Sequence, residues 1–198
     1  MKTVLAVATV ACLCCLLAGS GCHSSGADYW PMAEGNLWTY RYMEIGLSQD
    51  STPDTIIVDD YMAWKCGKLV TLAGGMKAWA MATSPYETVY FREAGNAVLI
   101  YEDSSVAEPD TWLALPLEEG KTWSYAGGTM LVRERGTVEV PAGTYKDCWR
   151  VEMLPVADQL AMSFWFAPNI GMVLMEESYE YGSYTFGMRY ELTYASVN

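Results

Sequence analysis

The chain has 198 residues, 12 basic against 24 acidic, giving a formal net charge of −12, and 52% of it is hydrophobic. That length buries the core of one domain, or of two small ones, without help from metal ions. The acidic balance excludes nucleic acid as a partner and excludes docking on anionic headgroups through a basic patch, whereas dispersed negative charge keeps an exported protein soluble.

In chain order, the first 22 residues carry the clearest signal. Lys2 precedes an apolar run from Val4 to Leu17, and Ala18-Gly19-Ser20-Gly21-Cys22 follows. The run is 14 residues long, short of the roughly 20 that a spanning helix needs. Residues 1–21 are therefore expected to be a secretory signal peptide. The stretch resembles the lipobox of bacterial lipoproteins, in which a cysteine after two small residues is acylated and becomes the new N-terminus. Ser20 and Gly21 fit that pattern, while Gly19 stands where leucine is usual. The resemblance implies a palmitate-bearing Cys22 that reaches the membrane through its lipid. With His23 rather than aspartate after it, the outer membrane is favoured where an envelope has two. Residues 22–28 then read as a tether, and 29–198 as a single β domain held in water by acyl chains.

Of the six cysteines, Cys12, Cys14 and Cys15 leave with the leader and Cys22 takes the lipid. Cys66 and Cys148 remain, neither in a C-x-x-C pair. In an exported chain they are a possible disulfide, the alternative being two buried, unreactive thiols.

Past the tether the periodicity is that of strands. Tyr184, Phe186, Met188, Tyr190, Leu192 and Tyr194 alternate with polar residues or glycine, as do Leu160, Met162, Phe164 and Phe166, and then Trp149, Val151 and Met153. Turn residues punctuate the runs at Gly74-Gly75, Ala94-Gly95-Asn96, Gly127-Gly128, Pro141-Ala142-Gly143, Pro168-Asn169 and Gly182-Ser183. No stretch keeps a helical period. Ten to twelve antiparallel strands are expected, closing as a barrel or packing as a two-sheet sandwich. Loops are expected at 48–54 and at 102–110.

The chain also echoes itself. Residues 31–40, PMAEGNLWTY, match residues 116–125, PLEEGKTWSY, at Pro, Glu, Gly, Trp and Tyr. At an offset of 82, Cys66 falls on Cys148, and at an offset of 75 Phe91 falls on Phe166 and Val98 on Val173. Two degenerate repeats of roughly 80 residues, 29–102 and 111–194, are the expectation. The P-x-x-x-G-x-x-W-x-Y openings, V-E-V-P-A-G-T-Y-K-D-C at 138–148 and F-A-P-N-I-G-M-V at 166–173 together resemble a family of uncharacterised bacterial lipoproteins and secreted β-domains. The resemblance covers nearly the whole body and implies an all-β envelope domain with no assigned catalytic residue. Asn169-Ile170 stands here where Gly-Val is common in that family.

Catalytic chemistry has little to work with. The only histidine, His23, sits on the tether, so the body lacks an imidazole for base catalysis, a nucleophilic triad or zinc. No S-x-x-K occurs. Asp59-Asp60, Glu118-Glu119 and Glu176-Glu177 are adjacent acids, and neighbours on a strand face opposite ways, which leaves an acid-pair hydrolase the weakest alternative. No calcium loop is present and methionine reads as core filler, so no metal or cofactor is expected. Aromatics are what remain. Trp38, Trp123, Tyr179, Tyr181 and Tyr184 are the candidate contacts for a small apolar ligand or for a glycan stacked on Trp and Tyr platforms, and packing in the core is the competing role. The sequence thus predicts a non-catalytic binding or structural module on an envelope membrane, with a carbohydrate-binding protein as the alternative.

Overall fold

A computed structural model describes residues 27–47, 55–105, 108–154, 161–181 and 184–198. The leader, Cys22, most of the tether, loop 48–54 and Gly182-Ser183 lie outside the described residues. The strands, in chain order, are β1 (Leu37–Leu47), β2 (Thr55–Thr71), β3 (Lys77–Ser84), β4 (Glu87–Ala94), β5 (Ala97–Tyr101), β6 (Asp110–Ala114), β7 (Thr122–Tyr125), β8 (Gly128–Val140), β9 (Gly143–Leu154), β10 (Ala161–Ala167), β11 (Gly171–Tyr181) and β12 (Tyr184–Ser196).

They form one sheet in the order β6-β5-β4-β3-β2-β1-β12-β11-β10-β9-β8-β7. Each strand pairs antiparallel with its neighbours, so the chain is a meander that closes on itself where β1 meets β12. The result is a nearly closed all-β barrel rather than a sandwich, with one seam between β6 and β7. Side chains bridge that seam. The Trp123 indole N–H donates to Thr111 O at 3.0 Å, and the Trp112 and Tyr125 rings meet edge to face at 5.4 Å.

Local sequence explains the hairpins. Gly95 and Asn169 hold left-handed backbone (φ 60° each) in the β4–β5 and β10–β11 turns, a region open to glycine and tolerated by asparagine. Ala126 and Gly127 both have positive φ in the two-residue β7–β8 turn, the geometry whose twist matches a right-handed hairpin. Alternation holds along β12 as far as Leu192, which is buried. A bulge against Thr39 and Tyr40 then turns Tyr194 outward to 54% exposure, where unbroken alternation would have buried it.

The seam divides the strands six and six, and the internal echo maps onto this division unevenly. Trp38 and Trp123 lie at the starts of β1 and β7, Phe91 and Phe166 are buried on β4 and β10, and Val98 and Val173 are buried on β5 and β11. Cys66 lies on β2 but Cys148 on β9, the second and third strands of their halves.

One end of the barrel is sealed from within. Asn169 N–H donates to Asp28 O at 2.5 Å and Asp28 N–H to the Asn169 side-chain oxygen at 3.1 Å, pinning the segment that enters from the tether. Trp30, two residues on, sits in the barrel stacked on Trp38 (centroids 6.3 Å, planes 8° apart) and against Phe91 at 5.0 Å and Trp112 at 5.5 Å. Trp64 and Phe166 complete its surroundings at 6.3 and 6.2 Å. Buried Asn36 ties this end together: its amide donates to Pro31 O, and its side-chain oxygen accepts from Asn198 N–H. The tip of the β8–β9 hairpin folds over the same end, with Ala142 N–H donating to Leu192 O at 2.9 Å.

Candidate functional site

The end away from residues 27–36 carries different chemistry on the two faces of the long strands. Inward, ladder pairing sets Trp123, Met130, Met153, Met162, Glu177, Met188 and Glu44 side by side across β7 to β12 and on to β1. The Tyr42 hydroxyl donates to Glu44 Oε1 at 2.5 Å and lies 3.5 Å from Met188 Sδ. Tyr190 packs on Tyr42 with ring centroids 4.9 Å apart. Burial pushes the Glu177 carboxyl above its ordinary value. Tyr190 is raised too, by burial first and then by the negative charges of Glu177 and Glu44. A flexible thioether wall with two carboxylates is suited to soft, irregular contacts rather than to a fixed reaction geometry.

Outward, the next row along the same strands is Glu152, Ser163, Glu176 and Arg189, on β9 to β12. Arg133 and Arg150 hold Glu152 at 2.5 and 3.0 Å, and Arg189 holds Glu176 at 2.6 Å and Glu191 at 2.8 Å. These groups line a groove of about 510 Å³. Glu152 and Glu176 flank Ser163 in the ladder, and each is ion-paired to arginine. Glu176 and Glu177 point to opposite faces, as adjacent strand residues must. Among the described residues no three His, Cys, Asp or Glu side chains gather as metal ligands.

The residues singled out from sequence are scattered. Trp38 is buried, not a platform: it stacks on Trp30 and its indole N–H donates to Ile170 O at 2.6 Å. Trp123 is half-buried and spans the β6–β7 seam, so its polar edge is also committed. Tyr179 and Tyr181 fall near the end of β11 and Tyr184 at the start of β12, Tyr181 opposite Tyr184, with their side chains outside the described residues. Cys66 and Cys148 do not form the disulfide that their parity allowed. Both are buried free thiols, on β2 and β9, with β1, β12, β11 and β10 between them in the sheet. Each instead sits near a backbone carbonyl, Cys148 Sγ 3.4 Å from Tyr145 O and Cys66 Sγ 3.9 Å from Gly67 O.

Sequence reasoning passed over Trp30, the Met and Glu belt, and the arginine-lined groove. The one local signal for Trp30 is a pair of aromatics followed by proline directly after the tether. The belt has no local signal, because its members come from separate strands.

No protein-family model matches the chain, and no curated protein matches it. Among solved structures, a protein from Bacteroides fragilis assigned as exported and of YMCC-like fold superposes with a TM-score of 0.47 and 14% identity, over 86% of this chain and all of that one. A protein from Parabacteroides distasonis assigned as a lipoprotein gives a TM-score of 0.41 and 12% identity, over 86% of this chain and 99% of that one. Each of those two chains is matched over essentially its full length.

Proposed function

We propose that this chain is a lipid-anchored protein of a bacterial cell envelope, held through acylated Cys22, whose barrel is a non-catalytic binding or structural module. The observation that carries the module assignment is the filled interior. Trp30 and the rings around it occupy the space where a barrel of this kind would hold a lipid-like ligand. The anchor and the plug are linked, because the tether leads directly into the segment pinned by Asp28 and Asn169. The barrel end that carries Trp30 therefore faces the membrane, and the end with the Met and Glu belt faces away. Between an enzyme and a module, the chemistry favours the module: Glu152 and Glu176 in the groove are ion-paired and the body has no histidine. Trp38 gives no platform for a sugar, since it is buried, and the Trp123 N–H is engaged by Thr111.

Replacing Cys22 with alanine tests the anchor. The variant is expected in the soluble fraction, without incorporation of labelled fatty acid and with an unchanged fold by circular dichroism. Membrane retention of Cys22→Ala, with or without label, would contradict the assignment. Outer-membrane sorting follows from the same residue and its neighbour His23, and is read from density-gradient separation of the two membranes.

A further inference from the structure

The large apolar side chains that stand exposed among the described residues concentrate on one strand. Ile56, Ile57 and Tyr61 are 53%, 54% and 64% exposed, and Leu69, at 46%, lies further along β2. The reason is the pairing of β2. Its ladder with β1 runs from Thr55 opposite Gly46 to Lys65 opposite Leu37, whereas its ladder with β3 begins only at Lys65 opposite Ala82. Over Thr55 to Trp64, then, one edge of β2 has no strand beside it among the described residues. An edge of that length with apolar side chains is a template for another strand.

Charge selects what can add. Asp59 and Asp60 sit in the middle of the open stretch, Asp59 bound to Arg41 at 2.6 Å and Asp60 exposed, accepting from the backbone N–H of Tyr61. Glu87, Glu102 and Asp110 line a cavity of about 390 Å³ at the same end of the barrel. A second copy laid antiparallel on this edge would bring acids against acids, and like charges directly opposite are destabilising. A strand alternating apolar residues with lysine or arginine meets no such penalty. We propose that the free edge of β2, Thr55 to Trp64, takes up an extended basic segment of a partner protein by strand addition, with main-chain hydrogen bonds supplying affinity and the acids supplying selection. This goes beyond the module assignment and does not depend on the anchor: the edge starts at Thr55, at the barrel end opposite Trp30, and only its last residue, Trp64, reaches the Trp30 ring.

The test uses the water-soluble Cys22→Ala chain and, as probe, a blocked ten-residue peptide alternating lysine with valine. Controls are the glutamate counterpart and an equally charged peptide with proline in place of valine. In the free protein, the amides of residues 55–64 that do not bond to β1 should exchange rapidly by residue-resolved hydrogen exchange. The lysine–valine peptide should slow those amides at least tenfold and neither control should. Asp60→Lys should weaken binding of that peptide tenfold or more and admit the glutamate peptide, with an unchanged unfolding midpoint. Slow exchange of these amides in the free protein would overturn the proposal by showing the edge already covered. So would concentration-dependent protection without peptide, which would make the occupant a second copy, and so would binding by the proline control, which would reduce the effect to charge alone.

Discussion

Replacing Trp30 with alanine is expected to lower the unfolding free energy by about 3–5 kcal/mol, the range for removing a large aromatic from a packed core. The side chain is 4% exposed and lies between both walls, touching rings from β1, β2, β4, β6 and β10. Its removal leaves a cavity that walls held together in one sheet collapse only partly to fill. Trp30→Phe should cost much less, for a second reason besides volume. The Trp30 indole nitrogen finds no hydrogen-bond acceptor among the described residues, and an unsatisfied buried donor costs about 1–3 kcal/mol that phenylalanine does not incur. Urea midpoints with near-ultraviolet circular dichroism report both variants. A loss under about 1 kcal/mol for the alanine variant would mean that the segment after the tether does not fill the barrel.

Stability is expected to fall steeply in alkali. Burial pushes the Cys66 and Cys148 thiols from 9.0 up to about 11. The folded state therefore keeps both protons over a range in which the unfolded chain gives them up. A raised folded value contributes stability that is fully present below the unfolded value and lost as pH rises to the folded one, so the loss runs from about pH 9 to about pH 11. The buried Tyr40 hydroxyl, which donates to Met172 O at 3.0 Å, is held protonated by burial and acts in the same direction. Cys66→Ala with Cys148→Ala should flatten the pH dependence in this window, seen as unfolding midpoints that converge with wild type as pH rises. Iodoacetamide should add no group to the native mature protein, residues 22–198 with Cys22 acylated, and two to the same chain unfolded and unreduced. Two thiols reacting in the native state, or none after unfolding, would contradict the buried free pair.

Strand content was legible because alternation is a local property: Tyr184 to Leu192 or Trp149 to Met153 show one apolar face whatever they pair with. Closure was not legible. The ladder that joins β1 to β12 brings together residues 37–47 and 185–196, and nothing within either segment specifies the other. The same limit explains the tryptophans. Trp38 and Trp123 share a local motif, but one meets the β10–β11 turn and the other the β6–β7 seam, and what lies opposite decides whether an aromatic is exposed. Cys66 and Cys148 invite pairing by count and offset, yet β2 is one 17-residue strand while the corresponding stretch contains the β8–β9 hairpin, which moves Cys148 to another strand. Glu177 among Met162 and Met188 could be found only from register, since those residues are neighbours across strands and not along them.

The central claim is a filled barrel on a lipid anchor, and native mass spectrometry of the protein extracted from its own membrane tests it most directly. The expected species, after detergent and bulk lipid are stripped by collision, is residues 22–198 bearing acyl groups on Cys22 and no other small molecule. A chain beginning before Cys22 without acyl mass, or a stoichiometric apolar molecule that stays bound to the stripped protein, would contradict it.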